Sequence, residues 1–258
     1  KISAIFARHA IRRTFEQTYG PEAKVIVTEL CEMSQKQRLA YDKFEKEAFL
    51  ELEDKFLDGG LPGVHAIRCR QIMGHPENVL GEAITTERTG KDERLLIHLE
   101  DHKRNKKPLV IFTSLVPEQL RIVKLCQDEG FRVGLINGSV SGTSRAKIDE
   151  KFRAGELDIL ICSPQTASFG FNWQFSVNKE VDHLIFVSLD YQDSTFYQAY
   201  RRAIRGIRKT PLLITIMEYE KSIDQRIMEI VKMKSEMAKK VDDTREVYDL
   251  SFKEDEAA

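Results

Sequence analysis

Apolar residues in the second half of the chain fall in short unbroken runs. Leu109-Val110-Ile111-Phe112 is the first, and Arg132-Val133-Gly134-Leu135-Ile136 follows. Ile159-Leu160-Ile161-Cys162, His183-Leu184-Ile185-Phe186-Val187 and Pro211-Leu212-Leu213-Ile214-Thr215-Ile216 complete the series. Runs that are apolar throughout, rather than at alternate positions, mark strands covered on both faces. Helical patterns separate most of them. Residues 117–128 carry Leu120, Val123 and Leu125 on one side, and 144–154 carry Ile148 and Phe152. Residues 194–204 form another such segment. Strand alternating with helix predicts an α/β fold, a parallel sheet with helices on both faces. Sheets of this kind bind ligands beyond the carboxyl ends of their strands. The loops to watch therefore begin at Thr113-Ser114, Asn137-Gly138, Ser163-Pro164 and Ser188-Leu189.

The first hundred residues read differently. Lys24 to Leu30 alternates like a half-exposed strand, and Ser34 to Leu57 is a long helical pattern heavy in Lys and Glu. Gly59-Gly60-Leu61-Pro62-Gly63 breaks it. A helix over 64–73, an irregular loop over 77–89 and a helix over 92–105 follow. Ser222-Ile223-Asp224-Gln225 opens a last helix that reaches about Lys240, and Lys253 to Ala258 is a polar, fraying tail. The expected division is a linker and helical insertion over 1–106, a sheet domain over 107–220, and a terminal helix and tail over 221–258.

Composition narrows the function. With 258 residues, 41% hydrophobic, the chain can bury a full core. A formal net charge of -1 argues against a strongly electrostatic, stand-alone nucleic-acid binder, though not against a local basic stripe. Cys31, Cys69, Cys126 and Cys162 are far apart and form no C-x-x-C pair. They read as structural thiols of a reducing compartment, the cytoplasm or nucleus, in a protein that is not secreted. No apolar run is long enough to span a membrane. The opening Lys1-Ile2-Ser3 reads as the cut edge of a longer protein.

No G-x-x-x-x-G-K-[ST] loop is present, since Gly90-Lys91 precedes Asp92 and Thr85 stands where the first glycine belongs. No acidic strand-end motif for magnesium is visible either. The chain by itself is not expected to cradle a triphosphate and its metal. His98 and His102 are read as a solvated helix face, without a third metal ligand. Asn137-Gly138-Ser139 is read as a turn, and Trp173 as packing. The 163–172 loop is rich in small and hydroxyl residues that suit phosphate oxygens or close backbone approach. Gln198, Arg202 and Arg205 are placed on one short helix. Arginines three apart share a face and suit a phosphate whose charge grows during transfer. An exposed basic helix is the plainer alternative.

The order of these motifs resembles the carboxyl-terminal half of a superfamily-two helicase, and specifically of a Swi/Snf-like DNA translocase. Ser163 to Asn172 is similar to S-T-K-A-G-G-L-G-I-N, and Gln198 to Arg205 to Q-A-x-x-R-A-x-R. Asp190-Tyr191 stands where the family has Asp-Trp, and Gly138-Ser139 with Arg145 and Phe152 resembles D-G-S…R…F. Residues 30–41 resemble L-S-x-x-Q-x-x-x-Y, Arg68 to Pro76 resembles L-R-x-x-C-x-H-P, and Thr89-Gly90-Lys91 stands for S-G-K. Pro164, Ala167-Ser168 and Gly206-Ile207-Arg208 depart from the pattern.

The resemblance implies a RecA-like domain that forms one lobe of a two-lobe motor. ATP and Mg2+ would be held mainly by an amino-terminal lobe of the same polypeptide. Arg202 and Arg205 would act as arginine fingers with Gln198 positioning them, and Gly170 and Asn172 would line the nucleotide cleft. Thr113, Ser114, Gly138, Arg145 and Ser163 would hold the backbone of double-stranded DNA. The chain alone would be inactive. An RNA helicase half, a non-catalytic interaction module and a flavodoxin-like domain are the other readings.

Overall fold

The computed structural model describes residues 15–52, 55–58, 60–80, 88–167, 170–191 and 193–241. In chain order the elements begin with α1 (Phe15–Tyr19), β1 (Lys24–Cys31), α2 (Gln35–Glu47), β2 (Phe49–Leu52), β3 (Lys55–Asp58), α3 (Pro62–Gly74) and α4 (Pro76–Leu80). Then come α5 (Gly90–Asn105), β4 (Leu109–Phe112), α6 (Val116–Asp128), β5 (Val133–Ile136), α7 (Gly142–Arg153), β6 (Ile159–Cys162) and α8 (Pro164–Ala167). The chain continues with β7 (Phe175–Ser176), β8 (Lys179–Glu180), β9 (His183–Phe186), α9 (Asp193–Tyr200), β10 (Leu212–Tyr219) and α10 (Ile223–Val241).

Six strands form one sheet in the order β1-β10-β9-β4-β6-β5, all parallel. The unbroken apolar runs become β4, β6 and β9, which are buried at every position. That is the expected consequence of covering both faces. From β4 the chain winds outward to β5 and back to β6; it then passes β4 to reach β9 and β10. Winding therefore reverses between β4 and β9, which sit side by side. Loops leaving two such neighbours flank a crevice at the sheet's carboxyl edge.

The sheet is wider than the expected 107–220 unit. Five strands come from that range, and the sixth, β1, comes from upstream, paired along its whole length from Lys24↔Leu212 to Cys31↔Tyr219. Its alternating sequence matches an edge position, where Val25 and Leu30 stay about half exposed. α10 packs on β10 and against α3, so the segments on either side of the sheet domain meet.

The helix expected over 34–57 stops ten residues early. Ala48 takes a left-handed conformation at φ 56 and ends α2, and the chain folds back as the antiparallel hairpin β2–β3. Phe49-Leu50-Glu51-Leu52 has the short alternating pattern of a strand, which the strong Lys and Glu content of the segment masks. The 77–89 segment opens with the short helix α4, and residues 81–87 lie outside the described residues. The cut-edge reading of Lys1 and the fraying of 253–258 lie outside them as well.

Thr89-Gly90-Lys91 starts α5, and each of the three residues has a structural use. The Thr89 hydroxyl accepts from the Asp92 N–H at 3.2 Å, and the Asp92 carboxylate accepts from the Thr89 N–H at 3.0 Å. This capping box satisfies amides that the first helical turn leaves open. A Cβ on Gly90 would lie 1.8 Å from the carbonyl oxygen of Glu32, so only glycine fits. Lys91 is buried; its ammonium donates to Asp224 and to the Val187 carbonyl, both at 2.6 Å. All four cysteines are free and buried, and burial pushes Cys31 up to about 11 and Cys126 up to about 12.

Candidate nucleotide and nucleic-acid site

The arginine segment does not lie within a helix. α9 ends at Tyr200, and residues 202–204 continue as tight turns, with Arg202 N–H donating to Ala199 and Ala203 N–H to Tyr200. Past the end of the helix, Trp173 N–H donates to the Arg202 carbonyl at 2.7 Å, which satisfies one of the acceptors a helix end leaves open. The turn brings the two guanidiniums to one point. Arg205 Nη2 donates to the Phe171 carbonyl at 2.9 Å, and Arg202 Nη1 lies 3.5 Å from the same oxygen. Arg202 Nε also donates to the Gln198 carbonyl at 3.1 Å. Burial, and then the neighbouring Arg205 charge, hold Arg202 below the ordinary arginine value.

The other arginines nearby are structural. Arg201 pairs with buried Glu22 at 2.5 Å and stacks on Phe15 and Tyr197. Arg208 donates to the carbonyls of Ala203 and Val181 at 2.5 and 2.8 Å.

Phe171 belongs to the loop that follows α8. Gly170 takes φ 81, a conformation that favours glycine, and is exposed beside it. Asn172 is also exposed, while Trp173 is fully buried, stacked on Phe171 at 4.9 Å and donating Nε1 to Asp149 at 2.8 Å. Trp173 is thus packing, as expected. Ser168 lies outside the described residues.

A cleft of about 500 Å³ opens between the start of α7 and this loop, lined by Arg145, Asp149, Gln165, Thr166, Gly170 and Phe171 among others. Arg145 Nη2 donates to the Gly138 carbonyl at 3.1 Å, so Gly138, Arg145 and Gly170 come together here. Ser163 follows β6, its N–H bonded to the Ile136 carbonyl at 3.1 Å and its surface partly open, but it does not line this cleft. Asn137 is buried and bonded to Gln119 at 2.8 Å, which makes it a loop anchor.

Thr113 is placed differently from expectation. Its side chain has no exposed surface, and its hydroxyl donates to buried Glu118. It cannot offer that hydroxyl to a phosphate in this arrangement; Ser114 is the partly exposed residue of the pair, its hydroxyl 3.5 Å from the Ser188 carbonyl. The expected solvated face at His98 and His102 is also corrected. His102 is buried, with Nε2 3.0 Å from His183 Nδ1, and His98 bonds Glu29 at 2.7 Å. Helix α5 lies against β1 and β10, so this face is covered. Among the described residues, no three His, Cys, Asp or Glu side chains are grouped to hold a metal ion. None of the described helices is long and apolar enough to cross a membrane.

Residues 90–206 match the family described as the helicase conserved C-terminal domain. This stretch is similar to a helicase C-terminal domain. Among solved structures, the C-terminal part of the Fun30 ATPase domain superposes with a TM-score of 0.63 at 14% identity, over 82% of this chain and 89% of that one. The C-terminal domain of the Sulfolobus solfataricus SWI2/SNF2 ATPase gives 0.61 at 17% identity, over 84% and 89%. The core of that ATPase, solved in complex with dsDNA, gives 0.65 at 18% identity, over 93% of this chain and 51% of that one. The likeness is one of fold: a RecA-like parallel α/β domain, as in these helicase C-terminal lobes. The chain spans about half the length of that core.

Sequence reasoning did not find Glu118, the Lys91–Asp224 pair or the Trp173–Asp149 bond. A lone Glu in an amphipathic helix carries no signal that it is buried. The Thr89-Gly90-Lys91 triplet did carry one, since a cap residue followed by glycine marks a close backbone approach.

Proposed function

We propose that the chain is the carboxyl-terminal motor lobe of a Swi/Snf-like, ATP-dependent DNA translocase. The observation that carries this is the meeting of Arg202 and Arg205 at the Phe171 carbonyl, beside the exposed Gly170 loop. Two planar cations held a hydrogen bond's length from one oxygen are arranged for a ligand with several oxygens. A polyphosphate at the lobe's edge replaces the carbonyl as their acceptor. Donors placed in advance stabilise the charge that develops on a transferred phosphoryl group without reorganising. Gln198 supports the pair through its carbonyl, and Gly170 and Asn172 line the nucleotide side of the cleft.

The remaining parts of the machine lie elsewhere. The amino-terminal lobe of the full-length protein holds most of the ATP and its Mg2+. Ser114, Gly138, Arg145 and Ser163 face the backbone of double-stranded DNA, with Thr113 fixing Ser114 from below. Gripping phosphates without reading bases suits a motor that moves along any sequence. The Sulfolobus core solved with dsDNA, alike in fold, supports this substrate.

The test is ATP hydrolysis by the full-length protein. Duplex DNA stimulates it, and Arg205→Ala lowers the stimulated rate by about 10³–10⁵, the usual worth of an arginine finger. The melting point of the lobe stays unchanged, because Arg205 is exposed. The isolated chain hydrolyses no ATP. Stimulation by RNA in place of duplex DNA, or a rate indifferent to Arg205→Ala, sinks the proposal.

A further inference from the structure

Two loops leave the carboxyl edge side by side at the reversal of winding, 113–115 after β4 and 187–191 after β9. One buried carboxylate joins them. Glu118, in the first turn of α6, has no exposed surface. Its Oε2 accepts from Thr113 Oγ1 and from Ser188 Oγ, the latter at 2.6 Å. Ser188 Oγ in turn accepts from the Ser114 N–H at 3.0 Å and lies 3.2 Å from Thr113 Oγ1. A Cβ on Gly74 would come within 3.0 Å of the Glu118 carboxyl, so the glycine leaves it room.

The second loop is pinned at alternate carbonyls. Lys91 donates to Val187 at 2.6 Å, Arg70 to Leu189 at 3.0 Å and Lys234 to Tyr191 at 2.5 Å. The three cations come from α5, α3 and α10. This loop runs into α9 and so into the arginine segment. A carboxylate is a costly occupant of a buried position that an apolar residue of similar size could fill. What it supplies is a shared acceptor for one hydroxyl from each loop.

We infer that Glu118 is a positioning residue, which locks loop 113–115 to loop 187–191 so that a displacement at Ser114 reaches the arginine segment. The inference rests on the motor function proposed above. Thr113 and Ser188 are the two ends of the lock, and Ser114, partly exposed, is held to it through its N–H.

Glu118→Gln and Ser188→Ala in the full-length protein test it. Each lowers the stimulation of ATP hydrolysis by duplex DNA by roughly 5–150-fold, the range of ordinary coupling between sites. The unstimulated rate and the KM for ATP hold. The double variant falls no further than the worse single one, because both cut the same link. Ser188→Ala removes one hydroxyl from a loop and leaves β9 untouched, so a folded variant is available even if Glu118→Gln unfolds. In the 258-residue chain, hydrogen exchange at the Ser114 amide speeds up in Ser188→Ala while β4 and β6 stay protected. A wild type unmoved by duplex DNA overturns the motor reading and this inference together. A stimulated wild type whose two variants are stimulated equally overturns the inference alone, as does an equal fall in stimulated and unstimulated rates.

Discussion

Acid acts on this fold through a histidine pair between α5 and the sheet. His183 is 7% exposed, with Nδ1 3.0 Å from His102 and Nε2 2.8 Å from the Thr215 hydroxyl. His98 meets its ring edge-on at 5.2 Å, and His98 in turn bonds Glu29. Lys107, paired with Asp182, is the other charge nearby. Burial above all, and then His102, His98 and Lys107, push His183 down from 6.5 to about 2. A lowered histidine means that the unfolded chain takes up a proton that the native one refuses. The stability from neutral His183 is therefore complete above about pH 6.5 and is lost as pH falls. At about 1.4 kcal/mol per pH unit, the loss between pH 6.5 and 4.5 is about 3 kcal/mol. His183→Asn keeps an amide near the Nδ1 position and removes the titration. Urea unfolding of the chain at pH 7.5, 6.5, 5.5 and 4.5, followed by circular dichroism, reads the difference. The wild type's advantage over the variant shrinks by about 3 kcal/mol across that range. His102, also lowered by burial, remains in both proteins and cancels. Two parallel profiles would refute the burial argument.

Three further outcomes follow from other buried groups. Burial and the Asp224 charge raise Glu218 from 4.5 to about 7, so its contribution runs the other way and stability falls as pH rises through that window. Glu218→Gln leaves stability unchanged at pH 4 and adds about 3 kcal/mol at pH 8, measured by the same unfolding curves. Lys91→Met strands Asp224 in the interior and costs about 3–5 kcal/mol, as broken buried pairs do; adding Asp224→Asn recovers part of the loss. Gly90→Ala forces a Cβ to within 1.8 Å of the Glu32 carbonyl, and the clash lowers stability by at least about 1–3 kcal/mol, the usual cost of overpacking, visible as a lower urea midpoint.

The strands β4, β6 and β9 were legible because full burial leaves a simple trace, an unbroken apolar run, and their order with the intervening helices fixed a parallel α/β sheet. The carboxyl-edge loops were legible for the same reason, since strand ends locate them. Local chemistry also determined the Thr89 cap and the turn at Asn137-Gly138, whose partners lie within a few residues. Other decisions belonged to contacts between distant segments. β1 joins the sheet through pairing with β10, nearly two hundred residues away, which no local pattern encodes. Helix α9 stops before Arg202, whose carbonyl is bonded by Trp173, and the turns that follow, not helical spacing, bring two guanidiniums to one oxygen. Glu118, His102 and Lys91 look like surface residues in the sequence, since charge and polarity predict exposure on average. Only the packed structure supplies the hydroxyls, the ring and the carboxylate that let them be buried.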